Sequence, residues 1–515
     1  MAQEQADVSP HTGSGLTPLS WAVIGGHEAV VKMLLERDDI NPNTANELGY
    51  TPLMIAACEG HEGIVRLLLE RWDVNPNIQN EHGETPLHLA ASEGHEGVVK
   101  TLLERSDINL SIPDGVTSVT PLFRAAWEGH EGIVRILLER NDANPNTEDR
   151  YGQTPLFGAA GKGHEGVVKA LLERQDIDPN IASIYSETPL FRAATGGHEG
   201  ILKMLLERND VNPNIEDKYG QTPLFGAACE GHEGVAKALL ERLDVNPNTA
   251  GRYGETPLFR AARNGHEGIL KMLLERSDVD PNITNDHGET PLFTAAWWRN
   301  EEAVRILLKR RDVNPNMANI LGRTPLFIAA CEGHEGVLKM LLGRGDVNLN
   351  AADTDGETPL SRSAREGYER VVKSLLRERY NVNPNTANSS GQTPLFMAAH
   401  EGHERVVKVL LERGDVNPNI ADSSGQTPLF VAARKGRKAA VEKLLERADV
   451  NPDITDLSGE TPLSQALERG YHAIVKLLST HRTPIPPLES NKFTTLPSPE
   501  PPNPDQHSSK RFRRI

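Results

Sequence analysis

The sequence predicts an all-α solenoid built from fourteen copies of one helix-turn-helix unit. Two observations carry this prediction: the phrase Thr-Pro-Leu recurs at a nearly constant interval, and two short apolar runs follow each recurrence. Eleven of the thirteen intervals are 34 residues and two are 35. So strict a period over most of a chain is typical of stacked repeats, here about 140 Å long at ~10 Å per repeat. The copies begin at Thr17, Thr51, Thr85, Thr120, Thr154, Thr188, Thr222, Thr256, Thr290, Thr324, Thr358, Thr393, Thr427 and Thr461.

Each element of one copy follows from its local residue types. Thr154 can cap a helix that begins with the following proline, where a missing N–H costs nothing. Gly163 ends this short first helix because glycine tolerates a positive φ. A second helix is expected from about Glu165 to Arg174, since its apolar residues have the i, i+1, i+4, i+5 spacing of a buried stripe. An extended segment containing Pro179 then leads to the next copy.

Composition and charge exclude several classes of protein. Hydrophobic residues make up 37% of the 515 and aromatic residues only 5%, which suits thin layers packed through alanine and leucine. The net charge of -17 argues against a general binder of nucleic acid or of anionic membranes, because both require positive surface. No signal pattern opens the chain, and no apolar run approaches the ~20 residues of a membrane span. We therefore expect a cytoplasmic protein, with a nuclear location as the alternative.

The three cysteines are expected to be reduced thiols. Cys58, Cys229 and Cys331 each lie seven residues after the threonine of their copy. At ~10 Å per copy they are on the order of 30–50 Å apart, far beyond the reach of a disulfide. This pattern also offers no metal-binding set of cysteines.

The unit of helix, turn, helix and extended finger resembles the ankyrin repeat. The resemblance covers residues 16–479 and rests on the phrase Thr-Pro-Leu-x-x-Ala-Ala-x-x-Gly-His; the ending Glu-Arg-x-Asp-Val-Asn-Pro-Asn is similar to arrays of filamentous fungi. It implies short β-hairpin-like fingers between repeats. The family commonly has histidine after Thr-Pro-Leu, but here only His88 keeps it and phenylalanine stands there in nine copies. We therefore expect apolar stacking between repeats to replace much of the hydrogen bonding of that histidine.

We expect three segments: a flexible N-terminal segment (1–15), the repeat array (16–479) and a disordered proline-rich tail (480–515). The tail ends in the basic run Lys510-Arg511-Phe512-Arg513-Arg514, for which nuclear import is one hypothesis. Within the array, Trp297-Trp298-Arg299-Asn300 replaces the usual x-x-Gly-His, so we expect the ninth copy to turn differently. The last copy has polar residues where others are apolar, as a terminal cap requires.

The ten Gly-His-Glu phrases do not predict a metal ladder or a row of catalytic bases. Equivalent histidines would lie about 10 Å apart, whereas a zinc ion needs its ligands within ~2.1 Å. We interpret these histidines as residues that hydrogen-bond to the backbone of the turn. No phosphate-binding glycine loop or nucleophile elbow occurs. An active site is normally unique in a chain, whereas these histidines and glutamates recur at the same place in ten repeats. We therefore expect no enzymatic activity, no metal and no cofactor.

The positions that differ between copies are the candidates for binding a protein partner. The resemblance implies partner contacts four, three and one residues before each threonine, on the fingers, and seven and eight residues after it, on the first helix. Tyrosine, tryptophan and arginine dominate interface hot spots. The candidates on the fingers are Arg150, Tyr151, Tyr185, Lys218, Tyr219, Arg252 and Tyr253; those on the first helices are Trp127, Arg263, Trp297 and Trp298.

A packing role for the tyrosines is the competing interpretation. The copies at Thr154 and Thr222 share one set of phrases and those at Thr188 and Thr256 another, which indicates duplication of a two-repeat unit. Copying alone would then repeat the tyrosines, and each ring could simply pack on the next finger. The sequence leaves both interpretations open.

Taken together, these features predict a monomeric, non-catalytic scaffold or adaptor that presents a long concave surface to another protein, with no binding to nucleic acid or membrane. The alternative is the sensing arm of a fungal NLR-type self/non-self receptor. In such receptors similar arrays often follow a nucleotide-binding domain. This sequence contains no phosphate-binding loop, so this alternative requires either a partner chain that supplies the domain or an incomplete gene.

Overall fold

The computed structural model describes residues 15–377 and 380–481, which form fourteen stacked pairs of short helices. We number the helices α1 to α28 in chain order, so that each repeat has an odd-numbered first helix and an even-numbered second helix. The first helices are Pro18–Ile24, Pro52–Cys58, Pro86–Glu93, Pro121–Glu128, Pro155–Lys162, Pro189–Thr195, Pro223–Glu230, Pro257–Asn264, Pro291–Trp297, Pro325–Cys331, Pro359–Glu366, Pro394–Glu401, Pro428–Arg434 and Pro462–Glu468. The second helices are Glu28–Leu35, Glu62–Leu69, Glu96–Leu103, Glu131–Leu138, Glu165–Leu172, Glu199–Leu206, Glu233–Leu240, Glu267–Glu275, Glu301–Lys309, Glu335–Leu342, Glu369–Leu375, Glu404–Leu411, Lys438–Leu445 and His472–Thr480.

The predicted all-α solenoid is confirmed, and the described residues contain no β-strand. The longest of these helices have nine residues, so none could cross a bilayer. Twelve of the thirteen fingers between repeats have the hydrogen bonding of a hairpin turn: in one, Asp217 N donates to the Gln221 carbonyl and Gly220 N to the Asp217 carbonyl, both at 2.9 Å. The flexible N-terminal segment and the proline-rich tail of the sequence prediction lie outside the described residues, apart from Gly15 and residues 480–481.

Every first helix begins with the same threonine cap. In α13 the Thr222 Oγ1 accepts the N–H of Phe225 at 3.3 Å, and Thr222 itself is extended with Pro223 as the first helical residue. All fourteen threonines cap their helices in this way. Such a cap stabilises a helix by about 1 kcal/mol, so the Thr-Pro pair fixes where each repeat starts.

The phenylalanines that follow Thr-Pro-Leu are buried between the first helices. Their exposed fractions run from 0% at Phe327 to 5% at Phe123, which agrees with the expected apolar stacking. His88, at the same place in the third repeat, is also buried and uses Nε2 to bond the Val119 carbonyl of the next repeat at 3.1 Å. Burial lowers the pKa of His88, so the ring stays neutral in its site.

The second helix expected from Glu165 to Arg174 ends two residues earlier than predicted. Its last helical residue is Leu172, and it is followed outside the helix by Arg174. The Arg174 guanidinium binds Asp176 through Nε at 2.9 Å and Nη2 at 2.7 Å, while Nη1 donates to the Leu138 carbonyl of the preceding repeat at 3.0 Å. That carbonyl ends a helix and has no donor within it. The same Arg–Asp ion pair follows the second helix in twelve repeats.

The asparagine of the Pro-Asn phrase joins each repeat to the next. Asn214 Nδ2 donates to the Asp244 carbonyl at 2.6 Å, and its Oδ1 accepts from Asn246 N at 2.8 Å. The residues that make both bonds are Asn43, Asn77, Asn146, Asn180, Asn214, Asn248, Asn282, Asn316, Asn350, Asn385 and Asn419. Ser111 stands at this position in the third repeat. We call this set the asparagine ladder.

The ninth copy does not turn differently, and that prediction is wrong. Arg299 takes the left-handed conformation usual for glycine there, with φ 59°, and Asn300 N donates to the Ala295 carbonyl at 2.9 Å, as the histidine N–H does in other copies. The Asn300 amide also replaces the histidine ring, because its Nδ2 donates to the Arg263 carbonyl of the preceding repeat at 2.6 Å.

We expect Asn214→Ala to lower the free energy of unfolding by about 1–3 kcal/mol, since it removes two inter-repeat hydrogen bonds worth ~0.5–1.5 kcal/mol each. The matched control is Ser111→Ala, which should change stability by less than about 0.5 kcal/mol. Urea unfolding followed by circular dichroism measures both. Equal effects of the two substitutions would contradict a stabilising role for the ladder.

Ser186→Gly should stabilise the array by about 0.5–1 kcal/mol. Ser186 has φ 60° at a finger position where glycine is usual, and an L-residue is strained in this region. Gly220 holds the equivalent place in the next finger at φ 75°. Ser186→Ala keeps the backbone strain and should not raise the melting temperature. If alanine raised the melting temperature as much as glycine does, the destabilisation would come from the serine hydroxyl and not from the backbone conformation.

Candidate functional site

The histidines of the Gly-His-Glu phrases bind backbone carbonyls and do not converge on a common centre. His164 Nε2 bonds the Trp127 carbonyl at 3.0 Å and His232 Nε2 the Thr195 carbonyl at 3.1 Å, in each case near the end of the preceding first helix. Eight of the ten make such a bond. The carbonyl belongs to the preceding repeat, so these histidines bind backbone across the boundary between repeats. Within residues 15–377 and 380–481, no three His, Cys, Asp or Glu side chains are placed to hold a metal ion.

The cysteines are free thiols that are half-buried in the first helices or at their ends. Burial raises the pKa of the Cys229 and Cys331 thiols above the ordinary value. Both are therefore protonated at neutral pH, which is the form that reacts poorly with electrophiles.

Exposed tyrosines alternate with cations along three successive fingers. Lys218 Nζ lies 4.0 Å from the ring centroid of Tyr185 and 4.8 Å from that of Tyr219. Arg252 Cζ lies 5.5 Å from the Tyr219 ring and 4.9 Å from the Tyr253 ring. These are cation–π distances, so each cation holds two neighbouring rings in place. We call Tyr185, Lys218, Tyr219, Arg252 and Tyr253 the tyrosine ribbon.

The ribbon is open to solvent, and its two cations form no close ion pair. Tyr185, Tyr219 and Tyr253 are 40%, 41% and 54% exposed. Neither Lys218 nor Arg252 forms an ion pair with a carboxylate of the described residues. Aromatic faces and cations without a close ion pair are thus available together on one edge of the solenoid.

The finger backbone holds the ribbon rigidly. Asp217 Oδ1 accepts the N–H groups of Tyr219 and Gln221, both at 2.8 Å, and Lys218 N donates to the Tyr185 carbonyl at 2.9 Å. Tyr253 lies in a single 3-10 turn with φ 73°, a conformation that is strained for an aromatic residue. Such strain often marks a site where a side chain must be presented in one direction.

Tyr151 stands one finger before the ribbon, with Arg150 Cζ 5.7 Å from its ring. The next finger has Ile184, 60% exposed, where the others carry a cation, so the alternation stops there. Exposed apolar residues continue at the same finger positions beyond the duplicated segment, at Ile320 and Leu321. These three residues are not among those predicted from the sequence, because that prediction rests on aromatic and charged residue types.

Trp127 is a half-buried packing residue. Its ring stacks on Phe123 with centroids 5.9 Å apart, and Lys162 Nζ of the next repeat lies 5.0 Å from the ring. Gly158 leaves the space that the ring fills, since a Cβ there would lie 2.8 Å from Trp127 Cε3. The tryptophan therefore joins two repeats, and only its outer edge faces solvent.

The remaining first-helix candidates form a separate exposed group. Trp297 and Trp298 are 42% and 56% exposed, and Arg263 Cζ of the preceding repeat lies 5.3 Å from the Trp298 ring. Arg263 forms an ion pair with Glu255, in which Arg263 Nη1 lies 3.4 Å from Glu255 Oε1. Arg260 binds the same carboxylate at 3.0 Å. The structure thus pairs Arg263 with Trp298, as a second small aromatic and cationic patch.

The position one residue before the threonine, where the resemblance implies partner contacts, is buried in five of the fourteen copies and half-buried in the other nine. Glu255 is 7% and Glu357 3% exposed. Both carboxylates are used within the array, Glu255 by Arg260 and Glu357 by Arg362 at 3.5 Å. Where this residue is buried, as at Glu255 and Glu357, the finger contributes only its tip to the surface.

Substitution by alanine should separate the packing tryptophan from the exposed one. We expect Trp127→Ala to cost roughly 2 kcal/mol of unfolding free energy, because it leaves a gap beside Phe123 and Gly158. Trp298→Ala should cost at most about 1 kcal/mol, the value of an exposed cation–π contact. Thermal or urea unfolding gives both numbers, and the reverse order would refute the assignment of Trp127 to packing.

The family model described as "Ankyrin repeats (3 copies)" matches residues 1–80, 39–114, 70–149, 112–183, 177–250, 243–319, 311–388 and 370–456. These overlapping matches include thirteen of the fourteen helix pairs, and only α27 and α28 lie beyond them. A search of the curated proteins finds no match.

Proposed function

This chain belongs to the ankyrin repeat family, and on that premise we propose that it is a non-catalytic scaffold or adaptor that binds a protein partner. Ankyrin repeats in general serve as protein-protein interaction modules. The partner surface of this chain consists of the finger tips together with the exposed residues of the first helices.

The tyrosine ribbon is the observation that carries the proposal. Tyrosine and arginine are the side chains that most often dominate binding energy, and here they are exposed, regularly spaced and held by cation–π contacts. Little side-chain entropy is lost when a surface that is already ordered meets a partner. A partner with an extended or helical segment along the fingers would contact three rings about 10 Å apart.

The distribution of polar residues supports a non-catalytic role. Histidine, arginine and asparagine recur at fixed places in the repeats, and there they bind backbone carbonyls of neighbouring repeats. These side chains are occupied in holding the array together. The residues that vary from copy to copy lie on the fingers and the ends of the first helices, as a binding surface requires.

Replacing Tyr151, Tyr185, Tyr219 and Tyr253 by alanine together should weaken partner binding at least tenfold, since loss of even one hot spot costs about 2 kcal/mol. Helix content and the melting temperature should change little because the rings are exposed. The experiment captures the partner on the intact chain, purifies it and titrates it against both proteins. Trp72→Ala is the matched control, as this ring is 90% exposed on a different side of the repeat.

Two outcomes would change the proposal. Loss of helical structure in the four-tyrosine variant would show that the rings are packing residues, which is the interpretation that duplication alone allows. Co-purification of a nucleotide-binding subunit with the intact chain would instead favour the sensing arm of a fungal self/non-self receptor.

A further inference from the structure

The cations of the tyrosine ribbon lie over the ring faces, which limits what the ribbon can bind. Lys218 lies over the rings of Tyr185 and Tyr219, and Arg252 lies over the rings of Tyr219 and Tyr253. A nucleic-acid base or a methylated ammonium group binds tyrosine through the ring face, where it would compete with these cations. The groups best placed for a ligand are therefore the ring edges, the hydroxyl groups and the cations themselves.

These groups favour an anionic ligand. The edge of an aromatic ring is positive where its face is negative, so a carboxylate is attracted to the edge. Among the described residues, neither Lys218 nor Arg252 forms an ion pair with a carboxylate. Glu187 lies within electrostatic range of Lys218, but it is half-buried and 3.9 Å from Arg192. Both cations can thus pair with a carboxylate from outside.

The two cations have the spacing of one turn of a polyproline II helix. Lys218 Nζ is 4.8 Å and Arg252 Cζ 5.5 Å from the centroid of the same Tyr219 ring, so they are at most about 10 Å apart. They also hold the same place in successive fingers, which is one repeat or ~10 Å. In polyproline II, side chains three positions apart share a face at about 9.3 Å. Neighbours on one face of a β-strand are only about 6.7 Å apart.

The tyrosine hydroxyl groups also suit a polyproline II backbone. Those of Tyr185, Tyr219 and Tyr253 form no hydrogen bond within the described part of the chain. The carbonyl groups of a polyproline II helix have no internal donor and can accept from such hydroxyls. An α-helix reaches a matching spacing of about 10.5 Å only between residues seven positions apart, and most of its carbonyls are already bonded within the helix.

We propose that the tyrosine ribbon binds an acidic, proline-rich segment of the partner in the polyproline II conformation, with carboxylates at positions i and i+3. This proposal rests on the protein-binding function proposed above. One carboxylate pairs with Lys218 and the other with Arg252, while backbone carbonyls of the segment accept hydrogen bonds from the tyrosines. At the place of the cations, the preceding finger has Ile184 and the following finger Asp286, so the ribbon offers two cationic positions.

Fluorescence polarisation with the full chain and labelled peptides tests the spacing. The peptide Pro-Glu-Pro-Pro-Glu-Pro-Pro has its glutamates three positions apart, and Pro-Glu-Pro-Glu-Pro-Pro-Pro has the same composition with the glutamates two positions apart. We expect the first peptide to bind at least tenfold more tightly, and its affinity to fall as salt rises from about 0.05 to 0.3 M because the ion pairs are exposed. An alanine-rich helical peptide with glutamates seven positions apart should bind no more tightly than the second peptide.

Charge reversal at Arg252 tests the site. Arg252→Glu should weaken binding of the first peptide at least tenfold, and replacing one of the two peptide glutamates by lysine should restore the affinity. The matched control is Lys435→Glu, because Lys435 is an exposed lysine of the thirteenth repeat and the change in net charge is the same. The control should leave the affinity within about twofold of the original. Circular dichroism should show unchanged helix content in both variants.

Several results would overturn the proposal. Equal affinity for the two proline-rich peptides, or no binding of either at about 1 mM, would reject the acidic polyproline II ligand. Tighter binding of the helical peptide would reject it in favour of a helical one, and an affinity that Arg252→Glu leaves unchanged would place the binding site elsewhere. If the four-tyrosine variant lost its captured partner while neither peptide bound, the ribbon would remain a protein-binding surface and only this ligand would be rejected.

Discussion

Backbone carbonyl groups at the ends of helices and fingers are the anchor points on which this structure depends. A carbonyl in the last turn of a helix has no donor within that helix, and leaving it without one in a packed array is costly. Histidine, arginine and asparagine of one repeat supply donors to the carbonyls of an adjacent repeat. Since every residue type has a carbonyl, this binding does not depend on the side chains of the neighbour.

That independence separates stability from recognition. The side chains at the finger tips and at the ends of the first helices can vary from repeat to repeat while the same three donors keep the repeats aligned. Tyr219 shows both parts of the arrangement: its N–H is held by Asp217 within the finger, and its ring stands outside between two cations. The surface is therefore varied in chemistry and uniform in geometry.

Much of the fold could be predicted because its signals are local. The Thr-Pro start of each first helix, the glycine at its end and the burial of the phenylalanines all depend on residues within a few positions of each other. The early end of the second helix, the asparagine ladder and the burial of Glu255 could not, since each depends on an atom in another element or another repeat. Of the candidate site residues, the structure brings five together on the fingers, pairs Arg263 with Trp298 and places Trp127 in the packing between repeats.

The bonds of the asparagine ladder span 30 to 33 residues, so none reaches past the adjacent repeat. A gene that loses or gains the 68 residues between Thr154 and Thr222 would rejoin surfaces of the same kind, with the same donors opposite the same carbonyls. Unequal recombination can therefore lengthen or shorten the row of tyrosines as a heritable change that leaves the rest of the molecule intact. The number of rings offered to a partner is, in this architecture, set by the count of modules.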